Sequence, residues 1–301
     1  MTSLRIVCIS ICATLLAVAS PLAADSLPEG TVWYTHADLD RMRTSESGKA
    51  LYAWFEDEVA EELKEEVGID LTQEIDRVTA FSDTGTSATV IVEGAVSEAL
   101  QKKLMALAVL KGDVEERDHS GKPYFMFEEA GGGGHREFRE TYFSFAVDGK
   151  ILATSDENQM RSLVDSNGQF SGERSHSDAL FVLTAEKGFV QAGMRPGEFS
   201  EQFDDDGWNS RIIRNTEQAV VFVSDSSGLI AVEARLVSSD PDMTQSIGNI
   251  VSGLISLQAF NDELDAPLLS VLQSTKVDVA GEVLTVSTVV SPDTVLEILD
   301  D

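Results

Sequence analysis

Phe143-Ser-Phe-Ala-Val-Asp-Gly-Lys-Ile-Leu-Ala-Thr-Ser155 decides the fold class. Phe143–Val147 alternates apolar and small residues with the period of a half-buried strand. Asp148-Gly149 predicts a tight hairpin, because both positions tolerate positive φ. Lys150–Thr154 returns as a second strand, and Ser155 opens a helix through about Val164. The C-terminal stretch repeats that order. Lys276–Ala280, Gly281 and Glu282–Val290 read as a hairpin, and Ser291-Pro292 caps a terminal helix to Leu299. Pro fits the first helical position because its missing N–H has no helical partner to lose. A recurring unit of antiparallel strands followed by a helix predicts an α+β fold of antiparallel sheets, each with helices packed on one face, in two related subdomains.

The intervening chain fits this scheme. Leu51, Phe55, Val59, Leu63 and Val67 recur every fourth residue, predicting a helix over Ser47–Val67 that ends at Gly68. Arg77–Phe81 and Ala88–Glu93 read as strands, and Ser97 caps a helix carrying Leu100, Leu104, Leu107 and Ala108. Asp113–Arg117, Tyr124–Glu128, Gln218–Ser224 and Leu229–Val237 are further strands. Asp240-Pro241 starts a long helix whose buried stripe is expected to be Met243, Ile247, Ile250, Val251, Leu254 and Leu257. Leu264–Gln273 is a shorter helix. The polar segment 167–177 reads as a linker, which divides the chain into a signal segment (1–24), an N-terminal α+β domain (25–170) and a C-terminal one (171–301).

Residues 1–24 have a basic start at Arg5, an apolar run from Ile6 to Val18 and a small-residue exit at Ala23-Ala24 before Asp25. That is the pattern of a cleavable secretory signal. The apolar run is shorter than the roughly 18–20 residues needed to span a bilayer. Cys8 and Cys12 lie inside it and are the only cysteines. The mature chain therefore has no disulfide, no thiol nucleophile and no thiolate metal site. Neither cysteine has the setting of a lipid attachment site, so no stable membrane anchor is expected.

The chain carries 52 acidic and 22 basic residues, a net charge of −30. Such a surface opposes nucleic acid, which is bound by Lys and Arg neutralising phosphates. It equally opposes an anionic lipid surface.

Tyr34-Thr-His-Ala-Asp-Leu39, Ile69-Asp-Leu71 with Asp76-Arg-Val78, and the strand–helix tail Leu284–Leu299 resemble segments of exported bacterial proteins of unknown function that share a repeated sheet-and-helix unit. The resemblance implies no activity.

No motif points to catalysis. His36, His119, His135 and His176 are scattered, and no pair has the i, i+4 spacing of a zinc helix. Asp204-Asp205-Asp206-Gly207 offers clustered oxygen ligands of the kind Ca²⁺ takes. With Gly207 at the sixth position of an EF-type loop, however, the twelfth is Ile213, which cannot supply the bidentate carboxylate. A solvated acidic loop is the expectation. Gly131–Gly134 lacks the Lys-Ser/Thr ending of a phosphate loop. Ser47-Gly48-Lys49 and Ser120-Gly121-Lys122 lack the Ser-x-x-Lys spacing of penicillin-type enzymes. Of Trp33, Trp54 and Trp208, the last sits in a polar loop and is the one candidate for a ligand platform. No catalytic, cofactor or metal residue is assigned. The expected function is a non-catalytic binding or interaction protein of the cell envelope, periplasmic or secreted, taking an envelope protein or small ligand. The alternative is an extracytoplasmic hydrolase whose site is not a linear motif.

With a net charge of −30, self-repulsion is greater in the compact state than in the expanded chain, and salt screens it. The thermal midpoint of the mature protein should therefore rise from low to molar sodium chloride. A flat or falling midpoint in a melting series would show that favourable ion pairs dominate.

Overall fold

The computed structural model describes residues 31–57, 64, 72, 74–82, 87–129, 140–169, 179–187, 215–258 and 266–299. Residues 25–301 cluster into two units, one of 25–41 and 54–175, the other of 42–53 and 176–301. The described chain begins β1 (Trp33–Asp38), α1 (Leu39–Thr44) and α2 (Gly48–Phe55). The α1–α2 corner thus belongs to the unit formed by the second half of the sequence.

The N-terminal unit adds β2 (Arg77–Ser82), β3 (Thr89–Glu93), α3 (Glu98–Lys111), β4 (Gly112–His119), β5 (Lys122–Glu129), β6 (Glu140–Ser144), β7 (Lys150–Thr154) and α4 (Glu157–Asp165). Its strands run antiparallel in the order β1-β2-β3-β7-β6-β5-β4. Because side chains alternate across a strand, register sorts them into rows. Tyr34, Phe81, Thr89, Thr154 and Tyr142 form one row, and His36, Thr79, Ile91 and Leu152 the next. All nine are buried. α4 covers this face with Met160, Leu163 and Val164, also buried.

The C-terminal unit contains β8 (Ala179–Glu186), β9 (Thr216–Ser226), β10 (Leu229–Ser238), α5 (Pro241–Gln258), α6 (Ala266–Ser274), β11 (Lys276–Ala280), β12 (Val283–Val290) and α7 (Pro292–Leu299). Its antiparallel order is β8-β9-β10-β12-β11. Ile230, Val232, Val221, Val223, Leu284 and Val290 are its buried apolar layer. On that face α5 approaches Val279 and Leu284 through Gly248, and Ser274 of α6 hydrogen-bonds Thr288. Ser47 at the start of α2 donates to Asp225 of β9 through both its backbone N–H and its hydroxyl.

The α+β class with antiparallel sheets stands, and among the described residues the strand–strand–helix unit appears four times: β2-β3-α3, β6-β7-α4, β9-β10-α5 and β11-β12-α7. Caps at Ser97, Asp240 and Ser291 form as expected. Three local details differ. At Asp148-Gly149 only Gly149 has positive φ, +68°, and the strand before it stops at Ser144. A four-residue turn closed by Lys150 N–H on the Val147 carbonyl takes the place of a two-residue hairpin. Among the described residues, the hairpin turns with two successive positive φ values are Ser120-Gly121 and Ser227-Gly228, and Asn167-Gly168 after α4 has the same pair. Asp156 rather than Ser155 caps α4, by accepting from Gln159 N at 2.9 Å. The Ser155 hydroxyl instead accepts from Ala88 N.

The stripe expected on α5 is the main correction. Ile250, Leu254 and Leu257 are 45, 53 and 71% exposed. Met243, Thr244 and Gly248 are the buried residues. At about 100° per residue, Ile250, Leu254 and Leu257 lie about 180–240° around the axis from Gly248. The six apolar residues do share one arc, about 180–300° from Gly248, but only Met243 at the helix start is buried, Ile247 and Val251 are half-buried, and the rest of the arc faces outward.

A Cβ built on Gly248 falls 2.4 Å from Val279 Cγ2, whereas one on Gly253 meets nothing within 4 Å. Gly248→Val should destabilise by about 1–3 kcal/mol through overpacking. Gly253→Ala should stabilise by about 1 kcal/mol through helix propensity alone. Denaturant unfolding of both variants checks the opposite signs, and equal shifts would contradict the helix orientation.

Candidate functional site

Of the residues weighed from sequence, His36, His119, Trp33, Trp54, Ser47 and Ser120 lie among the described residues. His135, His176, Asp204–Asp206, Trp208 and Gly131–Gly134 lie outside them, as do residues 1–24 and most of the 167–177 linker. Trp33 and Trp54 are half-buried.

His36 is a core residue, 7% exposed. β1 places it opposite Thr79 of β2, and its Nδ1 shares a 2.9 Å hydrogen bond with the Thr79 hydroxyl. One step along the same face lies a row of alternating charge in register across four strands: Asp38, Arg77, Glu93 and Lys150. Arg77 stands 3.7 Å from Asp38 and 3.5 Å from Glu93, and Lys150 is 2.6 Å from Glu93. Burial pushes Glu93 up, but the hydrogen bond and charge of Lys150, joined by Arg77, outweigh it and hold the carboxyl below its ordinary range. Burial also lowers the basicity of His36. Asp38 and Glu93 oppose that shift and Arg77 reinforces it. The row closes the end of the buried layer with its charges paired.

A second polar cluster fastens α4. One Glu157 oxygen accepts from the Tyr124 hydroxyl at 2.7 Å, Arg117 at 2.8 Å and Arg161 at 3.0 Å. The Tyr124 bond is the leading cause holding Glu157 below the carboxylate range, with the two guanidinium groups adding to it against burial. Beside it, burial and then Glu140 push the Tyr142 hydroxyl up to about 12. At the other end of α4, Lys122 donates to the Val164 carbonyl at 2.8 Å and to Asn167 at 2.7 Å. A cation there also complements the helix dipole.

His119 Nε2 donates to Asp165 at 2.8 Å. Ser120 hydrogen-bonds the same carboxylate. In a nucleophilic triad the serine must donate to the imidazole. Here both groups turn to the aspartate, which suits a clasp between the β4–β5 turn and α4.

In the C-terminal unit, Glu233 of β10 is 4% exposed on the sheet face opposite α5. Burial raises its pKa, and Arg235 at 2.8 Å partly offsets the shift. Thr184 of β8 is fully buried and its hydroxyl makes no hydrogen bond. Sequence reading missed Glu233. Its signal was a carboxylate inside the apolar strand 229–237.

Among the described residues, exposed large apolar side chains lie at Val109 and Leu110 at the end of α3, at Leu229 and Val289, and on the outer side of α5. Ile250, Leu254 and Leu257 form an i, i+4, i+7 strip on a helix whose only charged residue is Asp242. Leu268 of α6 is also exposed, at 39%. The sequence had already supplied these residues, and only the direction in which they point was missed.

No protein-family profile matches the chain, and no curated protein matches its sequence. Among solved structures it is similar to crystal form III of TP0453, at 10% identity with a TM-score of 0.51, covering 92% of this chain and 99% of that one. Crystal forms IV and I of TP0453 match with TM-scores of 0.48 and 0.45, at 10% and 8% identity, over 92% and 93% of this chain and 98% and 97% of theirs. The likeness to form III shows the α+β fold.

His36 gives the fold a pH signature. Its pKa is lowered from 6.5 in the folded state, so the unfolded chain takes up the proton first. Its contribution is full above about pH 6.5 and declines as pH falls toward the folded-state value, at no more than about 1.4 kcal/mol per pH unit. Glu93 and Glu157, with folded-state pKa values below 4.5, lose their contributions only at lower pH. Urea unfolding between pH 7.5 and 5 should therefore show falling stability that flattens in His36→Gln. An unchanged slope in the variant would place the titration elsewhere.

Proposed function

We propose that this chain is an exported, non-catalytic binding protein of the cell envelope that engages a partner protein through the outer side of α5. The strip Ile250, Leu254 and Leu257 carries this reading. Isolated apolar residues are ordinary on a surface, but a contiguous strip on one helix marks an interaction site. Anchors at i, i+4 and i+7 are the pattern by which a helix is read by a protein groove or a second helix. The strip lies on a helix that is already formed, which lowers the ordering cost at the moment of binding. Export is supported by the charge and length pattern of residues 1–24. Among the described residues, no helix is long and apolar enough to cross a membrane.

A photo-crosslinking residue placed at Leu254 in the exported protein should give one adduct of defined mass. One placed at Gln245, exposed on the same helix, should not. The Leu254 adduct should disappear when Ile250 and Leu257 become Ser, while the melting temperature stays near wild type, since exposed substitutions usually change stability by less than about 0.5 kcal/mol. The crosslinked chain should lack about residues 1–24 by mass. No adduct from position 254, or equal adducts from 254 and 245, would refute the docking face.

A further inference from the structure

We infer that the segment docking on α5 is a cationic amphipathic helix. This rests on the α5 docking face and adds the chemistry of what binds there. Three observations carry it.

The first is charge. From Leu236 to Thr275 there is no Lys, Arg or His, while Asp240, Asp242, Asp262, Glu263 and Asp265 are all acidic. Among the described residues from 236 to 299, the exposed acids are Asp242, Asp278, Glu282, Asp293 and Glu297, and Lys276 is the one exposed base. An apolar strip on a chain of net negative charge, with Asp242 exposed on the same helix, is matched by an apolar strip flanked by Lys or Arg. Complementary charge also raises the rate of encounter and suppresses like-charged competitors.

The second is shape. The strip spans two turns of helix, about 10 Å at 1.5 Å per residue. Gly253 lies beside it, and a Cβ there would meet nothing within 4 Å. A helix surface with such a notch accepts a side chain from a facing helix, as ridges pack into grooves.

The third is what the helix lacks. Helices that lie in a lipid interface carry Lys and Arg on their polar side. The polar residues of α5 other than Asp242 are Thr244, Gln245, Ser246, Asn249, Ser252, Ser256 and Gln258, all uncharged, and Asp242 would meet anionic headgroups with repulsion. A second copy of this chain brings the same net charge of −30, so self-docking is opposed at long range. A basic helix is the occupant favoured by both the apolar and the electrostatic terms.

The test uses the full mature protein and three fluorescent helical peptides with the same leucine face and polar sides of Lys, Gln or Glu. Two kinds of vesicle, zwitterionic and anionic, are run in parallel. Anisotropy should show binding of the Leu/Lys peptide, weakening with salt as the screening length shortens from about 30 Å at 0.01 M to about 10 Å at 0.1 M. Leu254→Lys should weaken it at least about ten-fold, as loss of a central anchor does. Ile250→Ser and Leu257→Ser, each at an exposed site, give the same reading should Leu254→Lys fail to fold. Equal binding of the Lys, Gln and Glu peptides would overturn the cationic assignment and leave the docking face standing. Leu/Lys binding that is indifferent to all three substitutions would overturn the docking face itself. Preference for either vesicle over the peptide would overturn both.

Discussion

The close seating of Gly248 against Val279 and Leu284 sets the roll of α5, and the reading of the C-terminal unit depends on that roll. α5 has one apolar arc and one thin side of small residues, and Gly248 on the thin side is what meets the sheet. The reason is steric. The side built from Thr244, Gly248 and Ser252 is the thinner one, with Thr244 and Gly248 buried. Thr244 and Ser252 return their hydroxyls to the Asp240 and Gly248 carbonyls of the preceding turn. That satisfies the polar atoms near the sheet without an outside partner. Small residues allow the helix axis to come near, Ile247 and Val251 fill the flanks half-buried, and Ile250, Leu254 and Leu257 are left facing outward.

The N-terminal unit solves a different problem. In a chain with 52 carboxylates and 22 bases, five cations of the N-terminal unit hold its secondary structure together. Arg117 and Arg161 converge on Glu157, Lys122 ends α4, and Arg77 and Lys150 bracket Glu93. Each exposed pair is worth little by itself. Sharing one carboxylate among a buried Tyr124 hydroxyl and two guanidinium groups makes a network with a fixed geometry, and that geometry fixes α4 over the sheet. These polar groups are therefore committed to the fold.

Class and element order were legible because the period-2 strands, Gly turns and capping residues of this chain agree with one another over short spans. Ser97, Asp240 and Ser291 needed no tertiary information to be recognised as caps. Turn geometry was less legible. Asp148-Gly149 carries the stronger hairpin signature in isolation, yet the hairpins with paired positive φ values are those at Ser120-Gly121 and Ser227-Gly228. There the strands run directly into a two-residue turn, whereas β6 ends at Ser144 and leaves more chain to close. Two features could not be read locally at all. Met42–Ala53 joins the unit built from the second half of the chain, through pairings such as Ser47 with Asp225 that span 178 positions. His36 is buried because β1 alternates Tyr34 and His36 inward, a signal that becomes visible only when residues 33–38 are read as a strand. The exposed strip was present in sequence as part of one continuous apolar stripe, which reads as buried by default; only the seating of Gly248 against Val279 shows that the sheet takes the other side.

Charge and exposed apolar surface act together on α5. An uncovered strip of Ile and Leu invites association with any apolar surface, including another copy, and contact between apolar surfaces does not discriminate among them. A net charge of −30 discriminates for it. Two copies repel before their strips meet, and an anionic surface is turned away by the same field. A partner of opposite sign is drawn in by the long-range term and held by the short-range one. On the proposed function, acidity that from sequence alone reads as a solvated surface would, beside an outward-facing Leu254, make an indiscriminate contact selective.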